Sequence, residues 1–224
     1  LPAAELLARV KATGAQVMSS ATTVAEARWL AAHGADVIIA QGYEAGGHRG
    51  MFLDDDLSRQ PGTFALVPQV VDAVDLPVIA AGGIADGRGI AAALALGAAG
   101  VQIGTAYLAT SEATISDLHR TALAEASDDA SQITNLFSGK PARGLSTRVM
   151  REIGPLSDDT PPFPTAGGAL APLKKAAEAN GKTDFSSLWA GQAAALARPG
   201  DAGEVTRRLV AEAGAHLTRL SRGR

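Results

Sequence analysis

The 224-residue chain contains no cysteine, and that absence removes disulfides, thiolate nucleophiles and thiolate metal sites together. Aromatic residues amount to only 4%. The arginines between Arg207 and Arg224 therefore lack the stacking partners of a single-strand nucleic-acid surface and read as a solvated terminal helix. An excess of either charge is also missing. The net charge is −3 and the isoelectric point near 5.8, which offers no general attraction to nucleic acid or to anionic membranes. No apolar run reaches the roughly 18 residues of a membrane helix, and no signal-peptide pattern opens the chain, so the expected location is the cytoplasm. The four histidines (His33, His48, His119, His216) do not stand at ligand spacing, so no histidine metal site is expected.

What the chain does have is apolar residues, at 46%, against 19% charged ones. That balance builds a core and argues against disorder. Through the first 110 residues, strand and helix patterns alternate. Helices are expected over Ala3–Thr13, Val24–His33, Thr63–Val74 and Gly87–Leu96, and several stop at a glycine (Gly14, Gly34, Gly97). Strands are expected over Gln16–Ala21, Ala35–Gln41, Pro77–Ala81 and Val101–Ile103. Four such units predict an α/β fold with a parallel sheet and right-handed crossovers. They amount to half of a (β/α)8 barrel, or else to an open sheet complete in itself. The opening Leu1-Pro2 enters a helix directly, as though in mid-fold. For a closed barrel, an amino-terminal half is expected ahead of it.

The grammar changes after Thr110. A helix over Ser116–Ser127, an extended segment over Ile133–Phe137 and a turn over Gly139–Gly144 are expected. Residues 154–172 carry five prolines and two adjacent glycines and read as an irregular loop. Helices are expected again over Leu173–Asn180, Trp189–Ala197 and Ala202–Leu220. The division is thus a half-barrel over residues 1–110 and a mostly helical cap or extension over 111–224.

Residues 41–50, Gln-Gly-Tyr-Glu-Ala-Gly-Gly-His-Arg-Gly, follow a continuous apolar strand. Four glycines there let the backbone turn tightly, and His48 brings a side chain that titrates near neutral pH. As neutral imidazole it can take a proton from an acidic carbon; as imidazolium it can hold an anion. Glu44 reads as a loop-stabilising carboxylate. Gly82-Gly83 and Gly104-Thr105 end the next two strands, where main-chain N–H groups can meet a phosphate. Gln41 and Gln102 stand at strand ends beside glycine, where an amide suits the edge of a heteroaromatic ring.

Three segments then carry a family resemblance: Gln41 to Gly50, Pro77-Val-Ile-Ala-Ala-Gly-Gly-Ile-Ala-Asp-Gly-Arg-Gly89 and Val101-Gln-Ile-Gly-Thr-Ala-Tyr107. With Phe137-Ser-Gly-Lys-Pro-Ala-Arg-Gly-Leu145 and Leu188-Trp-Ala-Gly-Gln192, the chain resembles the nitronate monooxygenases, formerly 2-nitropropane dioxygenases. FMN-dependent enoyl-acyl-carrier-protein reductases share the first three segments, and the last two tilt the resemblance toward the monooxygenases. A non-catalytic phosphate-ligand-binding barrel is the third possibility. The resemblance implies a (β/α)8 barrel with FMN at its mouth and a small helical insertion. It implies His48 as the catalytic residue, with flavin contacts from Gln41, Gly46, Gly82, Gly83, Gln102, Ile103, Gly104 and Thr105. The implied reaction oxidises an alkyl nitronate with FMN and O2 to a carbonyl compound and an oxidised nitrogen anion. A homodimer is a further possibility. The family's first strand, with its Met-Ala-Gly-type flavin loop, has no counterpart in these residues.

Overall fold

A computed structural model describes residues 1–223; Arg224, the last of the terminal arginines, lies outside them. In chain order the elements are α1 (Ala4–Lys11), β1 (Met18–Ala21), α2 (Val24–Ala32), β2 (Val37–Gln41), β3 (Gly47–His48), α3 (Thr63–Val71), β4 (Val78–Ala81), α4 (Gly87–Ala95) and β5 (Gly100–Gln102). They continue with α5 (Thr105–Leu108), α6 (Asp117–Ala124), β6 (Ser131–Thr134), β7 (Ala142–Leu145), α7 (Arg148–Ile153), α8 (Ala166–Ala179) and α9 (Ala202–Ser221). Two compact units result. The first takes Leu1–Glu44, Gly50–Gln102 and the chain from Val210 on; the second takes Ala45–Arg49 and Ile103–Leu209.

In the first unit β1, β2, β4 and β5 form a parallel sheet in that order, as the repeating βα grammar predicts. The register sets Ala21, Ala40, Ala80 and Val101 side by side on one face. Small residues in that row let α2 and α3 lie close, and Leu30, Ile38, Leu66, Val67, Val70 and Val78 fill the space between. Each such side chain taken fully from water contributes about 1.5–3 kcal/mol. Pro68 lies inside α3, where it removes one helical hydrogen bond, yet the helix persists because Leu66, Val67 and Val70 on its inner face are buried.

Two carboxylates tie this unit's loops. Thr23 caps α2 by accepting from the Glu26 amide at 3.2 Å. Glu26, 1% exposed, accepts from the Thr22 amide and hydroxyl (2.6 and 2.7 Å) and from the amides of Phe52 (2.6 Å) and Leu53 (3.2 Å). One buried anion therefore fastens the β1–α2 turn to the stretch after the glycine loop. Glu44 does the same for α3. Gly62 offers no side-chain cap there, and Glu44 accepts from the Thr63 amide and hydroxyl, both at 2.8 Å. A carboxylate at a helix N-terminus is favoured by the helix dipole.

The second unit holds an antiparallel sheet in the order β3-β7-β6. Three sequence expectations fail within it. Gly139–Gly144 was expected as a turn, but only its start turns, at Gly139 (φ +84°); Ala142–Leu145 is a fully buried strand paired on both sides. One partner, β6, is close in sequence, but the other, β3, lies about 95 residues away, and the second pairing has no local pattern to announce it. The alanine-rich stretch Trp189–Ala197 is not a helix. Trp189 makes a bridge to Gly144 and only Ala194–Leu196 forms a 3-10 turn, a case of tertiary pairing overriding helix propensity. The irregular loop expected over 154–172 ends early, because α8 begins at Ala166 in spite of Gly167, Gly168 and Pro172. The short elements β3, α5 and α7 carry too few residues for a periodicity to show. Leu136, Val149 and Met150 make one small core here; Leu123, Leu145, Leu188, Ala190 and Ala194 make another.

Candidate active site

His48 occupies the second position of β3, where it pairs with Ala142 of β7 while Gly47 pairs with Arg143. The Arg49 amide extends the ladder by donating to the Pro141 carbonyl at 2.9 Å. Gly47, at φ +73°, makes the turn into this strand. The Arg49 guanidinium is 1% exposed and folds back on its own loop, donating to the carbonyls of Ala45 and Gly47. A buried cation thus stiffens the turn that presents the histidine.

The imidazole meets a side chain at each side. Its Nε2 lies 2.8 Å from Ser138 Oγ. The Trp189 ring stands 5.4 Å away, tilted by 57°, and Phe163 meets it edge-on at 6.1 Å. Phe137 in turn sits edge-on to Trp189 at 5.7 Å. Trp189 is held from behind: the buried His119 ring donates from Nε2 to its carbonyl at 3.2 Å, and the Gly191 amide donates to Thr105 Oγ1 at 2.9 Å. Phe163 follows Pro161-Pro162, whose backbone lies directly against Gly139; a Cβ there would come within 2.4 Å of the Pro161 carbonyl oxygen.

His48 keeps exposed surface, but its charged form is disfavoured. Partial loss of water around the ring lowers its pKa below 6.5, and the cations Lys140 and Arg49 lower it further. A base that stays neutral at pH 7 amid positive charge is suited to remove a proton and leave an anion behind.

Gly46, expected to admit a ligand, has its own chain against it. A Cβ at Gly46 would lie 2.6 Å from the Gly191 amide nitrogen and 2.7 Å from the Ala190 carbonyl carbon. Backbone here packs on backbone, and neither segment can swing aside as a side chain would. We expect Gly46→Ala to destabilise the protein by about 2–3 kcal/mol, read as a lower denaturation midpoint in urea. An unchanged midpoint would show that the two segments are not held together.

The other expected residues divide between the units. In the first, the Gln41 side-chain oxygen accepts from the Gly50 amide at 2.7 Å, so this amide closes the glycine loop. Gly82 and Gly83 both have positive φ (118° and 69°), which makes the loop after β4 a turn that suits only glycine. Gln102 ends β5 and is exposed. In the second unit Ile103 is half-buried, Gly104 is exposed with open space where a Cβ would stand, and Thr105 starts α5. No side chain caps that helix start, so its first amides can serve a phosphate. Among the described residues no cluster of His, Cys, Asp or Glu could hold a metal, and no helix is long and apolar enough to cross a membrane.

Residues 1–212 match the family model described as nitronate monooxygenase. The chain belongs to the nitronate monooxygenase family. It is 42% identical over 199 residues to a probable nitronate monooxygenase of Staphylococcus aureus (strain Newman), covering 88% of this chain and 56% of that one. To the probable nitronate monooxygenase of Staphylococcus haemolyticus (strain JCSC1435) it is 38% identical over 220 residues, 97% of this chain and 62% of the other. Among solved structures, the nitroalkane oxidase from Streptomyces ansochromogenes superposes with a TM-score of 0.89 at 41% identity, over 98% of this chain and 63% of that one. FabK from Thermotoga maritima reaches 0.81 at 32% identity, over 97% and 67%. The chain therefore spans little more than half the length of the curated nitronate monooxygenase relatives it matches.

For this member of the nitronate monooxygenase family, Ser138, Lys140, Phe163 and Trp189 were not singled out by sequence reasoning. Ser138, Lys140 and Trp189 lie inside segments that carry the resemblance, and that was the one signal available. Phe163 lies in a proline-rich stretch with no signal of its own.

Proposed function

We propose that this protein oxidises alkyl nitronates, and neutral nitroalkanes after removing a proton, with FMN and O2 to carbonyl compounds plus nitrite or nitrate. The observation that carries the reading is the His48 imidazole, held neutral near pH 7 beside Lys140 and against aromatic rings. The kinship to a nitroalkane oxidase at 41% identity points the same way.

The chain's residues fit a flavin phosphate. In the first unit the Gly82-Gly83 turn would serve a phosphate, with Gln41 and Gln102 flanking Ala81 in the sheet register; in the second, Ile103, Gly104 and Thr105 at the uncapped start of α5 would, together with the Gly46 loop. The bound flavin supplies the two-electron redox chemistry. His48 supplies acid–base chemistry: the carbon-bound proton of a neutral nitroalkane passes to the imidazole, and the C–H electron pair becomes the nitronate. Lys140 and the resulting imidazolium then favour the anion over its neutral parent. Trp189 shields one side of the ring, and Phe163 meets it by an edge. In this reading the parallel sheet belongs to the C-terminal half of a (β/α)8 barrel, residues 1–110, with residues 111–224 as a mostly helical extension, in a cytoplasmic enzyme.

Adding FMN to the flavin-free protein should give a bound flavin spectrum and O2-dependent loss of nitronate. Because the His48 pKa is lowered, the base stays unprotonated down into the acid range. The acid limb of kcat/KM for a neutral nitroalkane should accordingly fall below pH 6.5, the value for a free imidazole. A limb above 6.5, or steady NAD(P)H consumption that requires an enoyl thioester, would replace this reading.

A further inference from the structure

A trans peptide group is planar, with its C=O and N–H pointing in opposite directions, so fixing one aims the other. The trans peptide between Gly82 and Gly83 is fixed by its oxygen: Thr63 Oγ1, at the first residue of α3, lies 3.0 Å from the Gly82 carbonyl. Thr63 is buried and Gly83 is exposed, and the Gly83 amide donates to no acceptor among the described residues. The C=O end of this peptide is thus tied to the protein, while its N–H end is turned away from α3. The Thr63 hydroxyl has one hydrogen to give. Glu44 Oε2 lies at 2.8 Å, the Gly82 carbonyl at 3.0 Å, and the Ala81 carbonyl at 3.5 Å, beyond a good bond. Glu44 and Gly82 therefore share the hydrogen in a three-centre bond. Glu44 is itself fixed, because both its oxygens accept from the Thr63 amide, at 3.0 and 2.8 Å. The helix end offsets part of its charge, which would otherwise oppose an anion nearby. Two glycines make room for this arrangement. A Cβ at Gly42 would come within 2.0 Å of Thr63 Oγ1, and one at Gly62 within 2.9 Å of Glu44 Oε1. Gly42 has no positive φ, so the first glycine after β2 serves the close approach of Thr63 and not a turn.

We propose that Thr63 is a positioning residue for the flavin phosphate: its hydroxyl holds the Gly82 carbonyl so that the Gly83 N–H stands ready for a phosphate oxygen. Thr63 itself touches no ligand in this scheme. Glu44 acts one step further back, by fixing Thr63 through the Thr63 amide. Both glycines of the turn have positive φ, so the turn is conformationally permissive, and a tie to one of its carbonyls decides where the next amide points. The contribution of Thr63 therefore belongs to the phosphate and not to the isoalloxazine ring. The inference rests on the proposed flavin site at the Gly82-Gly83 turn, and it concerns binding alone, so it is read without turnover.

The test titrates the flavin-free protein with FMN and with riboflavin, which lacks the phosphate, and follows the change in flavin fluorescence. Thr63→Val keeps the shape of the side chain and the amide that Glu44 accepts from, and loses only the hydroxyl. Its Kd for FMN should rise about tenfold, the scale of one well-placed hydrogen bond. Its Kd for riboflavin should not change, which also shows that the variant is folded. Thr63→Ser keeps a hydroxyl and should restore FMN binding. Equal losses for the two flavins, or no loss for FMN, overturn the inference and leave the flavin reading intact. So does a serine variant that binds FMN as poorly as the valine one. A wild-type protein that binds neither flavin overturns the proposed cofactor, and the role of Thr63 with it.

Discussion

His48→Asn should bind flavin as the wild type does and lose most of its turnover of neutral nitroalkanes, by about 10²- to 10⁴-fold, the usual contribution of a positioned general base. Asparagine is shorter than histidine and stops short of Ser138 Oγ, but the β3–β7 ladder that carries the residue is made by main-chain groups and has no reason to change. What disappears is a group able to accept a proton. Substrate supplied as the preformed nitronate needs no proton removed, and its turnover should fall far less. The two substrates assayed side by side, with flavin content measured by absorbance, separate lost acid–base chemistry from lost cofactor. Equal losses on both would assign His48 to binding the anion. No loss on either would remove it from the active site.

Glu26→Ala should be the most damaging single substitution for the fold. The carboxylate is 1% exposed and receives three main-chain amides and a hydroxyl, from Thr22, Phe52 and Leu53. Alanine would leave those donors facing a cavity. Unmade buried hydrogen bonds cost about 1–3 kcal/mol apiece and their losses are not additive, so a total on the order of 3–5 kcal/mol is expected. In a protein of this size that corresponds to a fall in the melting temperature of very roughly 10 °C. Glu26→Gln keeps one acceptor oxygen and should recover part of the loss. If the alanine variant melted with the wild type, the segment after the glycine loop would have to be anchored by something other than this carboxylate.

The sequence disclosed the first unit well because its information is local. An apolar run followed by a polar turn and a helix repeats four times, and that grammar predicts the parallel sheet that β1, β2, β4 and β5 form. His48 was legible for the same reason, as a histidine amid glycines at the end of a buried strand. Its surroundings were not. Ser138 lies 90 residues further on, just ahead of what reads as a turn, and Trp189 lies in what reads as a helix. The bridge from Trp189 to Gly144 and the pairing of β7 with β3 shape these segments, and no window of ten or fifteen residues contains either contact. Gly46 shows the same limit from the other side. Its need for close approach was evident, but the neighbour it admits, the Ala190-Gly191 backbone, was not.

Phe163 differs in kind from its companions around the imidazole. Trp189 is fixed by His119 and by its packing on Phe137, and Ser138 by its own turn, whereas Phe163 is 57% exposed and meets His48 only by the edge of its ring. Its backbone is secured at Gly139, so its side chain can vary without the loop letting go. The ring could therefore be exchanged at this one position for a smaller or a polar group at little risk to folding. The contacts of His48 with Ser138 and Trp189 would stay as they are, because neither depends on that ring.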